Sequence, residues 1–155
     1  MSSKNILNSE SAIKYFIVQV IASMLIVAAF LINFLLNSFL DLFSIPTQLI
    51  FDSALLLKMG AAPFHFWFPE IIESLNWMIT LMILTWQKIA PMILLMNNFN
   101  FYLVSISILF CFIVSSINGW NQLSMKKILA FSSINHIGWM LSLFLINQSI
   151  WLIYF

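Results

Sequence analysis

From Ser11 to about Leu36 the chain is apolar, interrupted only by Lys14, Gln19, Ser23 and Asn33. A helix needs about 20 such residues to cross a bilayer, and this run supplies them with room for tilt. Comparable runs follow to the end of the sequence. Only 7% of the residues are charged and 63% are hydrophobic, whereas an ordinary soluble domain is roughly 25% charged. A globule so poor in charge cannot cover its own surface in water, so a lipid bilayer is the expected solvent.

These patterns predict an all-α, polytopic transmembrane helix bundle: a single membrane domain over 1–155, with five complete spans and the start of a sixth. The spans are expected at about 11–36, 47–73, 76–96, 100–117, 124–145 and 149–155. Ala22, Ser23, Ala28 and Ala29 in the first are small enough to admit a close neighbour. Ser9 reads as a helix cap, and Glu10 and Lys14 as an i,i+4 pair. The second span contains Gly60-Ala-Ala-Pro63, where proline removes a donor and disfavours helix before it. It is therefore read as two half-helices broken near 60–63, a feature tolerated in a bilayer only where protein or cavity water satisfies the backbone. The terminal apolar run reaches only about 10 Å as a helix, so the sequence is expected to be a partial one that continues.

Threading these spans puts the N-terminal lead, the 71–75 turn and the 118–125 loop on one side. Lys4, Lys14, Lys126 and Lys127 all fall there, and the loops at 37–46, 97–99 and 146–148 carry no lysine. The lysine-rich side is expected to face the cytoplasm-equivalent compartment.

Two further lysines, Lys58 and Lys88, lie in the middle of apolar runs. Such a position costs about 2.5–3.5 kcal/mol on insertion scales, and intramembrane ionisable residues mark proton or ion pathways by default. Burial favours the neutral amine and a nearby carboxylate the charged one, so a lysine between those influences suits a proton relay. A lysine paired merely to assemble helices is the competing reading. His136, with Ser132 and Ser133 one turn earlier, suits a proton wire, or is a neutral histidine satisfied by those hydroxyls. His65 and Thr85 are further candidates. Asp52 is six positions from Lys58 and not on its face, so a direct pair is not expected.

Net charge is +1 and all six basic residues are lysine. No basic patch interleaved with aromatics points to nucleic acid. Cys111 is alone and is read as a small hydrophobe. No glycine-rich dinucleotide fingerprint, phosphate loop or cysteine set for an iron–sulfur cluster is present, so the chain is expected to bind no cofactor, no metal and no redox centre of its own.

Three stretches carry a resemblance: Ala54-Leu-Leu-Leu-Lys-Met-Gly-Ala-Ala-Pro-Phe-His-Phe-Trp-Phe-Pro-Glu70, Leu84-Thr-Trp-Gln-Lys-Ile-Ala-Pro91 and Asn121-Gln-Leu-Ser-Met-Lys-Lys-Ile-Leu-Ala-Phe-Ser-Ser-Ile-Asn-His-Ile-Gly-Trp-Met140. They resemble the antiporter-like membrane subunits of NADH:ubiquinone oxidoreductase, respiratory complex I, with an insect mitochondrial flavour. The resemblance implies a multi-pass protein of the mitochondrion inner membrane and a role in proton translocation coupled to electron transfer from NADH to ubiquinone. It implies other membrane-arm subunits as partners, and NADH, FMN, iron–sulfur clusters and ubiquinone bound elsewhere in the complex. Lys58 matches the family's lysine at the broken helix of the first repeat and Lys88 the lysine on the next helix. The family's partner glutamate and a later lysine have no counterpart in these residues. A cation/proton antiporter-type transporter and a purely structural membrane subunit are the alternatives.

Overall fold

The computed structural model describes residues 2–36, 44–97 and 99–154. Met1, residues 37–43 with Asp41 from the expected 37–46 loop, Asn98 from the 97–99 turn, and Phe155 lie outside them. The described chain is helical: α1 (Ser2–Leu36), α2 (Ser44–Met59), α3 (Trp67–Ser74), α4 (Trp77–Leu84), α5 (Trp86–Asn97), α6 (Phe101–Trp120), α7 (Met125–Ile146) and α8 (Gln148–Tyr154). Among the described residues four stretches are long and apolar enough to cross a membrane: Asn8–Leu35, Trp77–Met96, Phe101–Trp120 and Met125–Ile146.

Helix α1 begins ahead of Ser9, which is therefore inside the helix rather than its cap. The preceding residues contain no glycine or proline to stop it. The Glu10–Lys14 pair forms, at 3.1 Å. The buried seam of α1 is made of small side chains, Ser11, Ala22 and Ala29, which lets α2 and α3 approach. Ser23 is half-buried and Ala28 is exposed.

Both halves of the broken segment pack on α1. Thr47 bonds to Asn33, Gln19 donates to the Lys58 carbonyl at 3.3 Å, the Tyr15 ring lies tilted against Trp67, and Lys14 lies 3.6 Å from Glu70. Partner numbers fall along α1 as they rise along α2 and α3, so the two halves run antiparallel to α1 as one interrupted rod. From Lys14 to Asn33 is about 28 Å of helix at 1.5 Å per residue, close to the roughly 30 Å of a hydrocarbon core.

On the other side α2 packs on α5, α3 on α7, and α6 on α7. Gly138 makes the α6–α7 contact close: a Cβ there would lie 3.2 Å from Cys111 Cβ and 3.1 Å from the Phe112 ring. The core where these helices meet is lined by Leu55, Met59, Phe68, Met92, Ile134 and Ile137.

Six charged side chains gather at one end. Lys14 pairs with Glu10 and Glu70, Lys127 with Glu73 at 2.8 Å, and the Lys126 ammonium donates to the carbonyls of Glu73 and Leu75. Lys126 thereby neutralises the carbonyl end of α3.

Candidate functional site

The break between α2 and α3 is made by glycine before proline acts. Gly60 has φ +71°, a conformation that costs an L side chain about 1–2 kcal/mol. Its N–H donates to the Leu57 carbonyl at 3.1 Å and the Ala61 N–H to Leu56 at 3.0 Å, the paired bonds that close a helix through a left-handed residue. The chain then turns through Ala62 and a cis Ala62–Pro63 peptide. The Ala62 N–H, which no helix can satisfy, donates to Cys111 Sγ at 3.3 Å. Cys111 is thus more than the packing hydrophobe its composition indicated. The Phe68 N–H bonds to the His65 carbonyl at 3.0 Å and α3 begins. Gly60 also makes room: a Cβ would meet Phe68 at 3.1 Å.

A second break was not legible in the sequence. The stretch 76–96, expected as one helix, is interrupted at Thr85, whose hydroxyl donates to Leu81 at 2.8 Å. The Leu81 carbonyl also receives the Thr85 N–H, and such back-bonding bends helices. Lys88 consequently stands in the first turn of a new helix, α5. Thr85 itself is exposed.

Lys88 is 6% exposed. Its ammonium reaches the Ser133 carbonyl on α7 at 3.4 Å and lies 5.5 Å from the centroid of Phe68 on α3. Cys111 and His136 are within its electrostatic reach. No carboxylate contacts it among the described residues. Glu10, Glu70 and Glu73 are held by rim lysines, and Asp52 bonds elsewhere, to the Asn100 N–H. The helix break, the second break and α7 therefore converge on one enclosed amine.

Lys58 stands in the last turn of α2, half-buried. Among the described residues its ammonium meets no hydrogen-bond acceptor and no carboxylate. Its carbonyl, freed by the helix end, accepts from Gln19. Lys58 and Lys88 thus flank the break, one in the helix that enters it and one beneath the helix that leaves it.

The remaining candidates divide. His136 is exposed on α7 and stacks on Tyr154 of α8, with ring centroids 5.5 Å apart. Ser132 and Ser133 donate instead to Leu129 and Ala130 of their own helix, so neither hydroxyl satisfies the imidazole, and Ser133 contributes its carbonyl to Lys88. His65 is buried in the break against Phe66, with Nδ1 lacking a hydrogen-bond partner. It makes no contact with either lysine. Pro63 is exposed on the turn.

Comparison with known proteins follows this geometry. The transmembrane family described as NADH:quinone oxidoreductase/Mrp antiporter matches residues 1–155. The chain is 47% identical over 155 residues to NADH-ubiquinone oxidoreductase chain 2 of Anopheles gambiae, covering 99% of this chain and 46% of that protein. For the same-named proteins of Locusta migratoria and Aedes aegypti the identities are 43% and 44%, covering 99% and 98% of this chain and 45% of each relative. The chain thus spans about half the length of the curated relatives it matches. With the match running through both helix breaks and both Lys58 and Lys88, the chain belongs to the NADH:quinone oxidoreductase/Mrp antiporter transmembrane family.

Proposed function

We propose that this chain forms part of a core membrane-arm subunit of NADH:ubiquinone oxidoreductase in the mitochondrial inner membrane, where Lys58 and Lys88 relay protons. The relatives' names support the subunit assignment. The relay rests on one observation above others: Lys88 is enclosed at a pair of helix breaks with, among the described residues, a single carbonyl acceptor and no counter-charge. A change in nearby charge would alter the balance between the protonated and the neutral amine there. That is the property a translocating group needs.

In this reading the broken rod crosses the bilayer once beside α1, and the end bearing Lys14, Lys126 and Lys127 faces the matrix. Electron transfer in other subunits, which carry NADH, FMN, the clusters and ubiquinone, shifts charge along the membrane arm. Lys58 gains or loses a partner carboxylate contributed from outside these residues. A proton then passes by water to Lys88 and on toward His136, which is open at the edge of this chain. Lys58 is half-buried and unpaired among the described residues, which fits a group whose partner belongs to another segment. Other membrane-arm subunits and lipid cover the apolar outer face.

The test is Lys58→Met in the complete protein within its assembled complex. Methionine keeps the shape and removes the proton carrier. Normal assembly with fewer protons moved per NADH supports the relay, and unchanged proton stoichiometry excludes Lys58 from it.

A further inference from the structure

Asp52 is completely buried within this chain alone. Its Oδ2 accepts the Asn100 N–H at 2.6 Å, and its Oδ1 has no hydrogen-bond partner. Asn100 is the residue that opens the 20-residue helix α6, so the carboxyl sits over that helix's positive end. Among the described residues no cation pairs with it. Its hydrogen-bond partner among the described residues is the Asn100 N–H, and the last turns of α5, which packs on α2, carry no ionisable side chain. The chain has no arginine, and of its lysines only Lys58 shares a helix with Asp52, six residues on. On a helix six residues are about 9 Å along the axis, on a different face.

A buried carboxylate with no counter-ion and an empty oxygen is costly, and such groups neutralise rather than stay charged. A metal ion is a poor alternative. It would face the positive end of α6 with one carboxylate as ligand, and no group of three His, Cys, Asp or Glu side chains gathers among the described residues. A proton needs no space and brings no repulsion beyond its own charge.

We propose that Asp52 is a proton-binding site at the end of the bundle opposite the ion pairs. The acid holds its proton on Oδ1 while Oδ2 keeps the Asn100 N–H. On release the O–H bond breaks, the electron pair stays on Oδ1, and water takes the proton. The anion left behind is stabilised by the Asn100 N–H and the α6 dipole. This inference does not depend on Lys58 or Lys88 carrying protons.

The test is Asp52→Asn in the complete protein within its assembled complex, read by infrared difference spectroscopy against wild type in H2O and D2O. Asparagine copies the protonated acid, with a carbonyl for Asn100 and a neutral second group. The variant is expected to assemble at the wild-type level. The wild type is expected to show a protonated-carboxyl band that shifts in D2O, fades as pH rises and is missing in the variant. Ionised-carboxylate bands at neutral pH with no protonated band would overturn the site. So would failure of the asparagine variant to assemble while Asp52→Glu assembles, because the anion would then be needed to hold α6.

Discussion

The Lys88 ammonium reaches across from α5 to the Ser133 carbonyl of α7, 3.4 Å away. That carbonyl is already committed to its own helix, and the distance is long for a charged donor, which prefers about 2.7–2.9 Å. Lys88 is therefore tethered weakly, between a break that points Phe68 at it and a helix that carries His136.

Gly60 sets the break. Gly60→Ala is expected to destabilise by at least about 1–2 kcal/mol from the left-handed backbone alone, with more from displacing the buried Phe68 that its Cβ would meet at 3.1 Å. Heat challenge of the assembled complex checks this. An alanine variant as resistant as wild type would mean that the turn relaxes freely.

Cys111 holds the turn by accepting from the Ala62 N–H. Cys111→Ala leaves a buried donor unpaired, at a cost of about 1–3 kcal/mol. Cys111→Ser keeps an acceptor and is expected to stay closer to wild type. The amounts of assembled protein after gentle heating should rank wild type and serine above alanine; equal losses would assign Cys111 to packing alone.

Glu73 and Lys127 make a different kind of pair, partly exposed at the rim. Pairs of that kind contribute about 0–1 kcal/mol and are screened by salt. Glu73→Gln should therefore shift thermal stability slightly at low salt and not measurably at high salt. A large, salt-independent loss would show that this rim is a structural anchor.

Gly138 lets α6 and α7 touch. Gly138→Ala forces its methyl against Cys111 Cβ and the Phe112 ring, and overpacking of that kind costs about 1–3 kcal/mol. Because Cys111 also holds the Ala62 N–H, the variant should lower both stability and turnover. A loss of stability with full turnover would separate the seam from the site.

The apolar runs made the helices legible, and Gly60 with Pro63 made the first break legible, because backbone chemistry at those residues is local. The seam of α1 was half legible: small residues were visible, but which of Ala22, Ala28 and Ala29 faced inward depended on α2. Thr85 was hidden, since threonine is common in membrane helices and its back-bond is a matter of conformation. The Ser133 carbonyl was hidden for another reason. A sequence advertises hydroxyls, not which main-chain oxygen a distant lysine will find. Asp52 was seen not to pair with Lys58, but its cap on α6 needed the helix packing to be seen.

Proton translocation by Lys88→Met within the assembled complex is the decisive measurement, taken as protons moved per NADH oxidised in sealed vesicles. The relay predicts a complex that assembles, with that ratio clearly below wild type. A wild-type ratio in a fully assembled Lys88→Met complex would contradict it.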